Sequence, residues 1–561
     1  MIAAAIVLVV LVTLLIGARG VAAIRSTSDF LVASRRISPT LNAAAVSGEY
    51  LSAASFLGVA GLVLKDGIGA LWYGVGFTAG YIAMLALVAA PMRRTGALTV
   101  PDFAEARLGS AGLRKLSAVV VLVIATLYLV PQFKAAGLVL TVVTGTPYWV
   151  GVVVAGAAVS ITLALGGMRA ATYVQAFQFG LKLLLFIIPA IWLVLHVGAD
   201  TRRDALAPVE FTRFDRAAPV EFRLDVELTI TEPTPVSISG GAAEVLRPGR
   251  YEAVAGSTWT FPAGAAVPKV DGALPPGGDR WSRPLLDPND SGYPLLSTLS
   301  LLMATVLGAM GLPHIIVRFH TSSDGRGARR TAAITVALLS VFYLFPAVYG
   351  VLGAVLLPEL YLAGGTDTVV VALPARVDSG WAGSLFTAML SAGAFAAFLA
   401  TSLGLLLALS GAVSHDLLPG ATVRRLRLTT LGAAVLVVAL ALPAAHLDVG
   451  ALVTSAFAVA ASTFCPLLVL GIWWARLTAR GAVVGMVVGL VASAGVIGAS
   501  FFLATPPGLA ATLLGQPALW SVPLAFLTMV LVSLRGRPPA WATAAMLRLH
   551  LDETERSRQR R

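Results

Sequence analysis

Apolar runs long enough to cross a lipid bilayer recur along the whole of this 561-residue chain. A transmembrane helix needs roughly 20 such residues, and we count about thirteen runs. Composition agrees, because 57% of the residues are hydrophobic and 12% are charged, whereas soluble domains are nearer a quarter charged. The runs predict an all-α multispanning protein in a lipid bilayer, with spans at 2–17, 38–64, 71–91, 116–144, 147–167, 172–197, 295–316, 331–357, 382–414, 429–446, 448–474, 482–504 and 518–534.

The loops between these runs alternate in basic content. Since basic loops stay in the cytoplasm, the alternation predicts a cell (inner or plasma) membrane protein with its N-terminus outside and its C-terminus cytoplasmic. The net charge of +12 is spread over these loops, so we expect no nucleic-acid partner. The basic side carries Arg19, Arg25, Arg35, Arg36, Arg93, Arg94, Arg107, Arg114, Lys115, Arg318, Arg326, Arg329, Arg330, Arg424, Arg425, Arg427 and the tail from Arg535.

One polar segment, 198–294, is rich in Pro and Gly and interrupts the apolar pattern. It contains VEFRLDVELTI and GRYEAVAGSTWTF, whose alternation is typical of short strands joined by turns. We predict a small extracellular β-rich insertion, with a disordered loop as the alternative. The chain then divides into an extra span and loop (1–37), a first five-helix repeat (38–197), the insertion (198–294), a second, inverted repeat (295–475), two extra spans (476–534) and a basic tail (535–561).

The run AAAVSGEYLSAASFLGVAG places small and hydroxyl-bearing residues on one helical face at Gly48, Ser52 and Ser55. Such a face can simply allow close helix packing in a membrane. Gly48 after Ser47 also favours local unwinding, which is tolerated at this depth only where the backbone lines a cavity. The freed carbonyls can then bind a cation.

A second run, LLMATVLGAMGLPHIIVRF, is interrupted by Gly308, Gly311 and Pro313. Proline removes a helical hydrogen bond and clashes with the preceding turn. Two interrupted spans in corresponding positions of two halves point to the binding site of a secondary transporter. His314 can donate to a substrate there, although a structural histidine is the commoner case.

A third span, LFTAMLSAGAFAAFLATSLGLLLALSGAVSHDLL, carries Ser391, Thr401 and Ser402. Hydroxyls in spans often only bond to their own helix. Together with carbonyls from a broken helix, however, they form the oxygen cage that a hard cation requires.

Two lysines, Lys134 and Lys182, stand within spans, where a charge is costly and indicates function. Lys134, beside Gln132, can meet an anionic substrate, and Lys182 can substitute for or modulate a bound cation. For each the alternative is a snorkelling or ion-paired lysine. Glu49 is a possible partner of either, or moves a proton.

Motifs for ATP-driven transport or hydrolysis are missing, including a phosphate-binding loop with lysine, HExxH and Gly-x-Ser-x-Gly. We therefore expect no enzyme and no organic cofactor. A membrane sensor is the less favoured alternative, since the tail of about 27 residues is short for an output domain.

At these residues the chain resembles the sodium/solute symporter family, most closely its cation/acetate (monocarboxylate) branch. The resemblance covers about residues 40 to 490 and rests on SGEYLSAASFLGVAG, YLVPQFKAAG, GGMRAATYVQAFQ, MGLPHIIVRF, AGAFAAFLATSLGLLLALSGAVSHDLL and GIWWARLTARGAVVGMVVGL. It implies a leucine-transporter-type fold of inverted five-helix repeats, with one span before the core and two after it.

The resemblance also implies a Na⁺ site between the first and eighth core helices. Its ligands would be the carbonyls of Gly48, Leu51 and Ala397 and the Thr401 hydroxyl, with Ser402 as a neighbouring candidate. This chain has Ala400 where many members have a second hydroxyl, which leaves H⁺ as an alternative coupling ion. The acetate branch has Asp in place of Glu49 and lacks both lysines.

These patterns predict a symporter that imports a small monocarboxylate (acetate, propionate or pyruvate) with Na⁺ or H⁺ by alternating access. Symport of another small solute, such as an amino acid or urea, is the alternative. The expected substrate contacts are Tyr50, Ser55, Gln132, Lys134 and Met310.

Overall fold

The structure is a computed structural model that describes residues 1–551 except 19–25, 34–36, 208, 210–212, 223–224, 271–276, 289–291, 419, 421, 448 and 501–507. Within this part of the chain, eight helices are long and apolar enough to cross a membrane, and two bent pairs raise the number to ten. The multispanning prediction is confirmed. The eight are Ile68–Leu87, Ala111–Thr144, Tyr148–His196, Pro294–His320, Gly325–Leu356, Trp381–Leu417, Val449–Trp473 and Ala479–Ser500.

A few predicted features fall outside the described residues. They are the basic residues Arg19, Arg25, Arg35 and Arg36, the end of the predicted span 482–504, and residues 552–561 of the tail.

The first predicted repeat opens with a broken helix, Pro39–Tyr50 followed by Ala54–Asp66, with a bend of 64° between the halves. We call it the first broken helix. The predicted unwinding at Ser47–Gly48 was misplaced, since the helix runs on to Tyr50 and breaks at Leu51. Gly48 serves close packing instead, because a Cβ there would collide with the Gln175 carbonyl oxygen.

Three long helices complete this repeat. They are Trp72–Leu87, Ala111–Thr144 (the Gln132 helix) and Tyr148–His196 (the Lys182 helix). The last is divided at Gly167, whose φ of 53° and ψ of −153° are non-helical. The two predicted spans 147–167 and 172–197 correspond to its two parts.

The second repeat also opens with a broken helix, Pro294–His320, here called the second broken helix. Its first half consists of Pro294–Leu302, a π-helical turn Met303–Leu307 and Gly308–Gly311. The break falls at Leu312 (φ −71°, ψ 113°), and Pro313 opens the second half, Pro313–His320. A proline suits that first position because its missing N–H has no helical partner there. The predicted interruption is confirmed.

The remaining helices of this repeat follow the predicted spans. They are Gly325–Phe342 with Pro346–Leu356, Trp381–Gly411 (the Thr401 helix) with a π-helical turn Ala412–Leu417, Val423–Ala441 and Val449–Trp473.

Shorter elements connect and flank the two repeats. The helices are Ile2–Ala18, Thr27–Val32, Ala89–Thr95, Val100–Leu108, Ala199–Leu206, Gly278–Trp281, Pro358–Leu362, Val369–Val377, Ala479–Leu490, Val496–Ser500, Leu509–Gly515, Ala518–Leu534 and Ala542–His550. Tighter or wider turns occur at Ala54–Gly58, Ile68–Leu71, Thr366–Thr368, Pro443–His446 and Val491–Gly495.

The insertion is β-rich, as predicted. Its described residues contain the strands β1 (Ala218–Glu221), β2 (Val226–Ile230), β3 (Thr234–Ile238), β4 (Ala243–Leu246), β5 (Gly249–Ala253), β6 (Thr258–Phe261) and β7 (Lys269–Val270). These antiparallel strands form a four-stranded sheet of order β1-β6-β3-β4 and a three-stranded sheet of order β5-β2-β7. In β1, Ala218 lies opposite Phe261 of β6 and alternate residues are buried.

This insertion docks on one end of the transmembrane helices. Trp281 donates its indole N–H to the Leu64 carbonyl, 3.0 Å away, near the end of the first broken helix. An ion pair joins Asp215 to Arg376 on the short helix Val369–Val377. The β-rich unit therefore contacts the broken helix that carries the candidate site.

Candidate transport site

The break in the first broken helix is stabilised by a side chain from the Gln132 helix. Gln132 Oε1 accepts a hydrogen bond from the Ala53 N–H at 2.9 Å, and its amide donates to the Tyr128 carbonyl at 3.2 Å. The Ser52 N–H turns back to the Tyr50 carbonyl at 2.7 Å. Gln132, a predicted substrate contact, thus lies directly at the break.

Lys182 reaches the same break from the Lys182 helix. Its ammonium donates to the carbonyls of Gly48 and Leu51, the second at 2.8 Å, and its side chain is fully buried. These carbonyls are two of the predicted cation ligands. A third predicted ligand, Thr401, donates its hydroxyl to the Glu49 carbonyl at 2.5 Å. The structure therefore brings three predicted ligands to the end of the same half-helix, and two of them bind a lysine.

The other two predicted cation ligands lie on the same helix as Thr401. Ala397 and Ser402 are fully buried, and the Ser402 hydroxyl makes no hydrogen bond within the described part of the chain. The Ala400 carbonyl accepts from the Gln175 amide at 2.7 Å.

This donor set does not fit a Na⁺ ion as it stands. A hard cation needs several oxygens free to coordinate it. Here the Gly48 and Leu51 carbonyls already accept from an ammonium, and the Thr401 hydroxyl is turned to the Glu49 carbonyl. Position 400 offers no hydroxyl.

The Glu49 side chain pairs with Arg318 of the second broken helix. Arg318 Nε lies 2.5 Å from Glu49 Oε2, and both side chains are fully buried. Three further bonds hold the guanidinium, to the Met168 sulfur at 3.0 Å, to the Thr172 hydroxyl at 2.9 Å and to the Gln175 side-chain oxygen. The Arg318 guanidinium therefore joins the two broken helices and the Lys182 helix.

Arg318 was assigned from the sequence to the basic loops, and its place in the site was missed. Its position beside the apolar run MGLPHIIV held the signal that could have identified it. Glu49 was the other isolated charge of a broken span, and charges within the membrane pair with one another.

Aromatic rings close around the break. Tyr50 packs edge-on against Tyr81 with ring centroids 4.6 Å apart, and against Phe77 at 6.0 Å. Phe457 lies 6.2 Å from Tyr50 and 5.7 Å from Tyr128. These distances are typical of direct ring contact, so the rings form a closely packed cluster at the break.

Of the remaining predicted substrate contacts, Ser55 and Met310 lie near the breaks and Lys134 does not. Ser55 shares a hydrogen bond of 2.7 Å with the Tyr343 hydroxyl, and Met310 is buried in the second broken helix just before its break. Lys134 is held away from the break, by the Leu447 carbonyl and by Asp367 at 3.8 Å. Its ammonium therefore takes the ion-paired alternative.

His314 connects the second break to the rings. Its imidazole packs edge-on against Tyr128 at 5.4 Å and is 2% exposed. Among the residues that the structure describes, neither ring nitrogen has a hydrogen-bond partner, and the same holds for the Tyr81 hydroxyl. Buried polar groups without partners are costly, so these groups are available to a bound solute.

Comparison with known proteins agrees with this arrangement. A family model described as the sodium:solute symporter family matches residues 30–211 and 287–489, more than half of the chain, and leaves out the strands of the insertion. The substrate-bound, outward-open structure of a Na⁺-coupled sialic acid symporter is similar, with a TM-score of 0.65 and 13% identity over 95% of this chain and 97% of that one. Mhp1, a nucleobase-cation-symport-1 family transporter in a closed conformation, gives a TM-score of 0.52 and 13% identity over 92% and 98%.

The fold is thus the leucine-transporter type, with inverted five-helix repeats and a small β-rich insertion. Its family and fold are those of multispanning transporters that couple a solute to a cation. This chain belongs to the sodium:solute symporter family.

Proposed function

We propose that this protein imports a small monocarboxylate such as acetate, propionate or pyruvate, driven by a Na⁺ or H⁺ gradient. The observation that carries the proposal is the charge of the site. Glu49 is neutralised by Arg318, and the hydrogen bonds of Lys182 within the described part of the chain go to the Gly48 and Leu51 carbonyls. These three side chains together carry one excess positive charge in a buried site, where an anion is the favourable partner.

The helix breaks support an anion in the same place. The second halves of both broken helices begin inside the bundle, after Ser52 and at Pro313. Half-helix N-termini carry partial positive charge and are suited to anionic substrate groups. His314 and Tyr81 offer further polar groups without partners in the described residues.

The closely packed ring cluster favours a small solute. An amino acid would bring its own ammonium group into a site that already holds the Lys182 ammonium, and like charges repel. We therefore favour a simple carboxylate over an amino acid, and its negative charge over neutral urea.

The transport cycle we propose is alternating access. The solute binds beside the two breaks, and the first and second broken helices then change their packing so that the site opens to the other side. The Glu49–Arg318 pair joins the two broken helices, and the Lys182 contacts join the first of them to the Lys182 helix. Each of these contacts must either move with its helices or break when the packing changes.

We also propose the orientation that the basic loops predict. The N-terminus and the insertion would then face outward, and the C-terminus the cytoplasm. Labelling of single cysteines placed in the insertion and after Arg535, in intact and permeabilised cells, tests this; only the first should react in intact cells.

Uptake into proteoliposomes tests the function. Labelled acetate, propionate and pyruvate are offered under an inward Na⁺ gradient and, separately, an inward H⁺ gradient, with excess unlabelled amino acids or urea as competitors. Accumulation of at least one carboxylate under one gradient, unaffected by the competitors, is expected. No carboxylate accumulation under either gradient would contradict the proposal, and carboxylate uptake that an amino acid or urea suppresses would favour the alternative substrates.

A further inference from the structure

Lys182 places its ammonium where the family resemblance predicts a coupling ion. The side chain has no exposed surface and comes from the second part of the Lys182 helix. It donates to the Gly48 carbonyl and, at 2.8 Å, to the Leu51 carbonyl. An ammonium and an alkali ion require the same thing of these oxygens, since both are compact cations bound by carbonyl dipoles.

Lys182 and Na⁺ cannot share these two oxygens at normal affinity. Two unit charges about 4 Å apart repel strongly enough, at the effective dielectric typical of protein sites, to weaken binding about a thousandfold. A Na⁺ ion bound by the Gly48 and Leu51 carbonyls would lie within about 4 Å of the Lys182 nitrogen, because that nitrogen binds the same two oxygens.

The surrounding groups agree with a permanent internal cation. The Thr401 hydroxyl is directed to the Glu49 carbonyl at 2.5 Å, and the Ala400 carbonyl is used by Gln175. The acidic side chain that follows Gly48 in the sequence, Glu49, is bound to Arg318. Lys134, the other buried lysine of a span, instead lies 3.8 Å from a carboxylate. Among the described residues, the carbonyls of Gly48 and Leu51 are thus the hydrogen-bond partners of the Lys182 ammonium.

We propose that Lys182 is a tethered cation that replaces Na⁺ at the Gly48–Leu51 site. It joins the break of the first broken helix to the Lys182 helix, as a bound ion would, so this site takes up no Na⁺ in the wild-type protein. The inference deepens the proposed function, on which it rests for the role of the site in transport.

The test is equilibrium binding of ²²Na⁺ to purified protein, which needs no knowledge of the solute. Lys182→Ala removes the ammonium and leaves two buried carbonyls and a space beside them. We expect this variant to bind one more Na⁺ per chain than wild type, and Thr401→Val added to it to abolish the gain. Lys182→Met, which fills the space without a charge, is expected to show no gain.

A second measurement, made in the wild-type background, does not depend on the folding of Lys182→Ala. Thr401→Val should leave the Na⁺ bound by wild type unchanged, whereas a loss of bound Na⁺ would overturn the proposal. Equal Na⁺ binding by wild type and folded Lys182→Ala would also overturn it. Because no substrate is present, failure here is distinct from failure of carboxylate transport.

Discussion

Arg318 and Glu49 form an ion pair with an Nε–Oε2 distance of 2.5 Å and no exposure of either side chain. The pair joins the second broken helix to the first, across 269 positions of sequence. Removing one partner leaves an uncompensated charge in a buried site, which costs about 3 to 5 kcal/mol. The pair is therefore a structural requirement of the site as well as a part of its charge balance.

A double-mutant cycle on this pair should show strong coupling. Arg318→Met and Glu49→Gln are each expected to lower the thermal stability of the detergent-purified protein, and the double variant less than the sum of the two. The measurement is the unfolding temperature of all four proteins. Additive losses would show that the two side chains do not depend on each other.

Gly404→Ala should disrupt the same pair from the Thr401 helix. An added Cβ at Gly404 would overlap the Glu49 carboxylate, which Arg318 holds in place. Overpacking a fixed site costs about 1 to 3 kcal/mol or more, so we expect loss of monodisperse protein in size-exclusion chromatography. Gly180→Ala is the matched control, since its Cβ would meet no atom within 4 Å. Equal behaviour of the two variants would contradict the contact.

Gln132→Leu should impair transport by removing the acceptor of the Ala53 N–H at the break. A buried donor left without a partner costs about 1 to 3 kcal/mol, so the initial uptake rate should fall at least about fivefold. Gln178→Leu is the control, because this buried amide donates to Thr13 of the N-terminal helix instead. If Gln132→Leu takes up solute as fast as wild type at equal reconstitution, transport does not depend on the Gln132 hydrogen bond at the break.

Trp281→Phe should loosen the insertion while sparing the transmembrane core. The substitution keeps a ring but loses the hydrogen bond to the Leu64 carbonyl, which measures 3.0 Å. Limited proteolysis of the insertion should become faster, and the unfolding temperature of the core should stay within a few degrees. Trp149→Phe is the control, since that side chain is 56% exposed. Unchanged proteolysis would show that Trp281 does not hold the insertion in place.

The span pattern and the second break were predictable because their causes are local. Runs of apolar residues become helices in lipid, where every backbone group must be bonded internally. Pro313 ends a helix through its own ring and missing N–H. The insertion showed its strands through alternation alone, as in β1.

The position of the first break was not predictable in this way. Gly48 suggested unwinding, but its helix continues because the glycine allows close contact with the Gln175 carbonyl. The chain breaks at Leu51, where Gln132 supplies an acceptor from a helix 79 positions away. Whether a glycine unwinds its helix or allows close packing depends on residues that are distant in the sequence, and a local pattern does not include them.

The pairing of the buried charges was also beyond local sequence. Glu49, Lys134, Lys182 and Arg318 allow several pairings, and the register of four helices decides among them. Arg318 pairs with Glu49, Lys134 pairs with Asp367, and Lys182 binds the carbonyls of the break.

Counterflow in proteoliposomes tests the central claim most directly, because it detects a carrier without any assumption about the coupling ion. Vesicles loaded with excess unlabelled pyruvate, propionate or acetate are diluted into a trace of the same labelled anion, with protein-free vesicles as the reference for diffusion. We predict a transient internal excess of label for at least one of the three anions. If the internal label never exceeds that of the protein-free vesicles for any of the three anions, the result would contradict carboxylate transport by this protein.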